Sequence, residues 1–193
     1  AIGPVSIDMY LPGFPAIEQE FATRGLEVTM AAFNNGIAVG QLFYGPISDR
    51  FGRKPPLYVG FAVYMIGALG CALAVNMTML TVMRVVQALG GCAGLVIGRA
   101  IVRDRCEPHE AARAFTTLTM IVALGPVFAP AIGGVIVTYL GWRVTFVVQV
   151  GIVGTGGLVR LTGSGLGCPT WPQCTADSLV NTPEMGIHGI IEF

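Results

Sequence analysis

Residues 56–98 read PLYVGFAVYMIGALGCALAVNMTMLTVMRVVQALGGCAGLVIG, and Arg84 is the only charged side chain in the stretch. A helix rises 1.5 Å per residue, so about 20 apolar residues cross the ~30 Å hydrocarbon layer of a bilayer. Asn76 and Met77 divide the stretch into two runs of that length, 56–75 and 78–98. Working outward, four more apolar runs lie at roughly 1–18, 28–48, 114–138 and 143–159. The composition points the same way: 53% of the 193 residues are hydrophobic, 11% are charged, and the mean hydropathy is +0.70. Soluble domains carry about 25% charged residues, so this chain has too few to cover a water-exposed surface. The expected fold is an all-α integral membrane protein with about six transmembrane helices and the lipid bilayer as its principal partner.

Basic residues are shared unevenly between the connections. Arg50, Arg53, Lys54, Arg99, Arg103, Arg105 and Arg113 fall on one side, and Arg24 and Arg143 on the other. Positive charge is retained in the cytoplasm, which puts 49–55 and 99–113 inside and 19–27 and 76–77 outside. Lys+Arg and Asp+Glu are both 11, so no strongly basic face exists and nucleic acid is not expected as a partner. Ala1 and Phe193 both lie within apolar stretches, so each end has the look of a cut, and no signal peptide is legible.

Three groups of residues carry the chemistry. The turn Gly45-Pro46-Ile47-Ser48-Asp49-Arg50-Phe51-Gly52-Arg53-Lys54 combines glycines for a tight bend with charges that can form an ion-pair latch. Asp104 is expected to pair with Arg53 across the two inner loops. Within the apolar runs, Asp8 and Arg84 are costly unless paired or hydrated, and Gln87 lies about one turn from Arg84. Asp8 reads either as a desolvated carboxylate that takes up protons or as a solvated residue near the outer interface. Arg84 reads either as a site residue or as a structural donor to neighbouring carbonyls. Gly125, Pro126, Ala129, Pro130, Gly133 and Gly134 either bend the fifth run or admit a close helix neighbour.

These segments resemble the major facilitator superfamily. Gly45 to Lys54 is similar to its G-x-L-A-D-R-x-G-R-K signature, with Ile47 for Leu and Ser48 for Ala. Arg84 to Gly90 is similar to R-x-x-Q-G-x-G, with Ala88 for the first Gly. Gly125 to Gly134 resembles the antiporter signature G-x-x-x-G-P-x-x-G-G, with Ala129 for Gly. Ser6-Ile7-Asp8-Met9-Tyr10-Leu11-Pro12 resembles the drug:proton antiporters of the bicyclomycin-resistance type. The resemblance implies the N-terminal half of a two-half fold, residues 1–149, lacking its second half. It implies proton-coupled efflux of small amphipathic drugs across a bacterial inner (plasma) membrane, with Asp8, Arg84 and Gln87 in proton or substrate coupling. Neither a catalytic set nor a metal site is expected, and the transporter part calls for no cofactor.

Residues 150–193 have a different texture. Cys168 and Cys174 bracket the polar loop CPTWPQC, which reads as a disulfide on an oxidising face or as a metal or thiol site. Cys71, Cys92 and Cys106 read instead as small core side chains. Gly151 to Cys174 resembles the segment of heme A synthases that ends the first span and opens the first external loop, where two cysteines can form a disulfide. The resemblance puts Glu192 at the opening of the next span and His188 one turn before it. Heme is implied only if this segment belongs to a complete synthase. The expected chain is therefore a chimera: a truncated transporter half plus a short loop-and-helix-start appendage, with heme O oxidation or an inactive membrane fragment as alternatives to efflux.

Overall fold

The first apolar run breaks at Pro12. A proline has no N–H, so the Asp8 carbonyl loses its helical donor, and the ring crowds that carbonyl. In the computed structural model, which describes residues 2–22, 25–105 and 108–161, helix α1 accordingly spans Ile2–Asp8. A 3-10 turn follows at Leu11–Gly13, and α2 spans Phe14–Phe21. The Tyr10 N–H turns back to the Ile7 carbonyl at 3.1 Å, and the Phe14 N–H bonds the Leu11 carbonyl. One continuous crossing over 1–18 was the expectation; the chain instead makes two short helices and a tight turn.

The remaining runs form long helices. They are α3 (Glu27–Phe51), α4 (Lys54–Ala72), α5 (Met77–Arg105), α6 (Pro108–Leu140) and α7 (Trp142–Leu161). Gly52, with φ 84°, ends α3 where an L side chain would be strained, and prolines at the first positions of α4 start the next helix. The Asn76 side chain accepts the Met79 N–H at 2.7 Å and caps α5. Much of the polar loop expected over 99–113 is helical. At 29 residues α5 reaches about 43 Å, longer than the hydrocarbon layer, so its charged last turns project beyond it as helix.

Among the described residues there is no strand, and three segments are long and apolar enough to cross a membrane: Lys54–Ala72, Met77–Asp104 and Ala111–Leu140. Helix α3 has the length, but Asn34, Asn35 and Gln41 dilute its apolar character. Met120, Leu124, Val127, Phe128, Ile132 and Val135 of α6 are all exposed. That much contiguous apolar surface would be an aggregation hazard in water and is ordinary in lipid.

The packing unit runs from Ala1 to Val153. Its centre is α5, held between α3 and α4 at van der Waals distance by small residues. A Cβ at Gly90 would overlap the backbone of Tyr64 and Gly60, and one at Gly67 would overlap the backbone of Gln87. At these points α4 and α5 touch main chain to main chain, the contact small residues permit in lipid.

Candidate functional site

Groups from α1, α3 and α7, and Tyr10 from the turn after α1, surround Arg84 of α5. Its side chain is fully buried, and its guanidinium carbon lies 4.0 Å from the ring centroid of Tyr10, 5.0 Å from that of Phe33 and 5.2 Å from that of Phe146. Ring faces carry negative potential, so the three aromatics replace part of the solvation that burial removes. Arg84 Nη1 donates to the Gln87 Oε1 atom at 3.0 Å and to the Ser6 carbonyl at 3.3 Å. Its Nε and Nη2 have no hydrogen-bond partner among the described residues. Among the described residues no carboxylate pairs with it.

The Gln87 amide continues the chain of contacts. Its Nε2 donates to Gln149 Oε1 at 2.8 Å, an oxygen that also accepts from the Tyr64 hydroxyl at 3.2 Å. Tyr64 shares a short hydrogen bond with the Ser6 hydroxyl, and Tyr10 bonds Thr29 through their hydroxyls at 3.1 Å. Thus α1, α3, α4, α5 and α7 each contribute a side chain to one buried polar and aromatic cluster. The sequence singled out Arg84 and Gln87. It missed Gln149 and Tyr64, whose only signal was a polar group inside an apolar run.

Asp8 stands at the last position of α1, half-buried, and its Oδ2 is buried without a hydrogen-bond partner. It shares α1 with Ser6, which contacts Arg84, but no ion pair joins Asp8 to Arg84. The glycine- and proline-rich stretch of α6 packs beside it. A Cβ at Gly133 would overlap the backbone of Met9, and one at Gly134 would come within 4.0 Å of Pro12. Ala129 is buried, while Gly125 and Pro130 are half-buried and Pro126 faces outward. The structure therefore sets Gly133 and Gly134 directly against the break that follows Asp8.

The charged turn lies at the other end of α5. Arg53 Nη1 pairs with Asp49 and donates to the Ser48 hydroxyl at 2.7 Å, while its Nε donates to Asp104 at 2.8 Å. The Asp104 carboxylate, followed by that of Asp49, raises the Arg53 pKa above its ordinary value. The expected Arg53–Asp104 contact is present and ties the α3–α4 turn to α5. Gly45 accepts the Ser48 hydroxyl through its carbonyl, and Arg50 and Lys54 are exposed. At the opposite end of the unit, Glu20 accepts from the Trp142 indole at 2.7 Å and pairs with Arg143 at 2.7 Å. Those hydrogen bonds, Arg143 first, hold the Glu20 carboxyl below its ordinary value. Arg143 Nη2 also donates to the Ala74 carbonyl at 3.0 Å, so the contact joins α2, the connection that follows α4, and α7. Cys168, Cys174, His188 and Glu192 lie outside the described residues.

Comparison with known proteins gives the family. The family model described as Major Facilitator Superfamily matches residues 2–164. The chain is 38% identical over 149 residues to the "Uncharacterized MFS-type transporter YdgK" of Bacillus subtilis, covering 75% of the chain and 37% of that protein. It is 36% identical over 147 residues to the "Bicyclomycin resistance protein homolog" of Haemophilus influenzae, covering 75% and 37%. It is 32% identical over 185 residues to the "Multidrug resistance protein MdtL" of Klebsiella pneumoniae, covering 95% and 46%. The chain thus spans less than half the length of these relatives. A match over most of the chain, on a helical unit built around a buried arginine and a charged turn, settles its kinship: this is a membrane protein that belongs to the major facilitator superfamily.

Proposed function

We propose that this chain is the N-terminal half of a proton-coupled multidrug efflux transporter of the bacterial inner (plasma) membrane. Support comes from the relatives named for bicyclomycin and multidrug resistance, and above all from Arg84, a fully buried cation without a carboxylate partner among the described residues. Such a charge is expensive in a membrane interior and marks a functional site by default. Asp8 supplies the complementary group. A proton on its carboxylate removes one charge from the hinge between α1 and the 3-10 turn, and its loss restores that charge. Gly133 lets α6 ride closely over the same hinge, so a charge change at Asp8 bears on α1, α6 and, through Ser6, on the Arg84 cluster. Small amphipathic drugs would bind where this half meets a second one near the bilayer midplane.

The test is efflux of a fluorescent amphipathic dye from bacteria stripped of their own exporters, with a complementary C-terminal half supplied. Asp8→Asn should abolish proton-driven efflux, and Asp8→Glu should retain part of it. Unchanged, gradient-dependent efflux in Asp8→Asn would refute the role of Asp8.

For residues 150–193 the opening of a heme A synthase is a second proposal. It rests on the run from Gly156 to Pro169, and the described packing unit ends at Val153, close to that change of texture. A Soret band in the purified chain would support heme O oxidation by this chain; a heme-free chain would remove that enzyme reading.

A further inference from the structure

Beside the charged turn lies a cavity of about 310 Å³, lined by Asp49, Arg53, Arg99, Arg103 and Phe115 among others. That volume is at the lower end of small-ligand sites, about 300–1,000 Å³. Among the described lining residues the charges do not balance. Arg53 is matched by Asp49 and Asp104. Arg99 and Arg103 stand one turn apart on α5, both facing the cavity, and neither has an ion-pair partner among the described residues. Like charges at this spacing repel, so an anion between them would relieve the helix. Part of the wall is apolar: Val96 and Ala100 of α5 and Phe115 of α6 line it, and Leu118, about one turn beyond Phe115, is exposed. The basic residues place this end at the cytoplasmic head-group level.

We propose that this cavity seats the phosphodiester of an anionic phospholipid, held by Arg99 and Arg103, with the acyl chains leading away past Phe115 and Leu118 of α6. Basic clefts between membrane helices at the cytoplasmic surface suit such head groups. Arg53 positions the cavity wall through its two carboxylates and leaves the phosphate to the two arginines of α5. The proposal does not depend on transport activity.

The chain is tested in detergent, by native mass spectrometry after titration with phosphatidylglycerol or phosphatidylcholine. Phosphatidylglycerol should be retained in preference, and Arg99→Gln with Arg103→Gln should weaken its retention roughly thirtyfold, the factor two basic residues supply. Arg99→Lys with Arg103→Lys should keep most of it, and Arg50→Gln, which alters a charge outside the cavity lining, should leave it unchanged. Circular dichroism confirms that each variant is helical. If the double glutamine variant is helical and retains phosphatidylglycerol as well as the parent, the site is refuted. If inorganic phosphate displaces the lipid at equal concentration, the lipid assignment is overturned in favour of a soluble anion.

Discussion

Replacing Gln87 by Leu should destabilise the protein, and removing Arg84 as well should restore much of the loss. Gln87 makes two buried hydrogen bonds, one from Arg84 Nη1 at 3.0 Å and one to Gln149 at 2.8 Å. A hydrogen bond to a charged group contributes about 1.5–3 kcal/mol. A neutral one between membrane helices contributes about 0.6 kcal/mol on average. Gln87→Leu should therefore cost about 2–4 kcal/mol, because Arg84 keeps its charge but retains only the long contact to the Ser6 carbonyl and the three ring faces. In Arg84→Met/Gln87→Leu the buried charge is gone, and an apolar side chain of similar length fills the aromatic cage. Exchanging a buried ionic group for a well-packed apolar one is often neutral or stabilising. The double variant should thus lie above the Gln87→Leu single variant in stability, read from SDS-titrated unfolding of the detergent-solubilised chain followed by circular dichroism. The order matters more than the absolute values. A double variant less stable than Gln87→Leu would mean that the guanidinium itself contributes net stability, and the reading of Arg84 as a cation kept for function would fail.

Two other outcomes follow from the packing and the charged contacts. Gly90→Val should destabilise by about 1–3 kcal/mol or more, because the clash is with the backbone of Tyr64 and Gly60, which cannot swing aside; Gly98→Val, with open space around its Cβ position, should cost far less in the same assay. At Glu20 the folded-state pKa lies below the ordinary 4.5, so its contribution is present above that value and disappears as the pH falls through the lower, folded value. The fluorescence of Trp142, whose indole donates to Glu20, should report that acid transition, and Glu20→Gln should remove it.

Much of the helical plan was legible because the apolar runs are long and punctuated. Helices α3, α4 and α7 begin and end within about three residues of the runs that announced them. The break after Asp8 was partly visible, since a proline at position 12 removes the donor to the Asp8 carbonyl; its depth was not, because it also needs the turn of Tyr10 back to Ile7. The overrun of α5 and α6 was hidden for a different reason. Hydropathy marks where lipid ends, and Arg99 to Arg105 are residues that leave lipid without leaving the helix. The cage around Arg84 could not be read at all. Tyr10, Phe33 and Phe146 come from three distant segments, and a helix that is apolar all round does not declare which side faces protein and which faces lipid.

Gln149 shows how a buried network constrains the boundary that texture alone suggests. By composition the chain changes character after about residue 150. Yet Gln149 Oε1 is the acceptor for both Gln87 and Tyr64, and one turn later Val153 packs against Tyr64 and Ala68. A chain stopping before Gln149 would leave the Gln87 amide and the Tyr64 hydroxyl short of an acceptor in a lipid-surrounded core, where unsatisfied polar groups are costly. The Arg84 cluster therefore needs α7 at least through Val153, whichever sequence follows. That requirement falls on the helix that Trp142 and Arg143 fasten to Glu20 at its other end. The same seventh helix thus closes the polar cluster at its middle and clamps α2 at its start, which makes it a structural member of the packing unit.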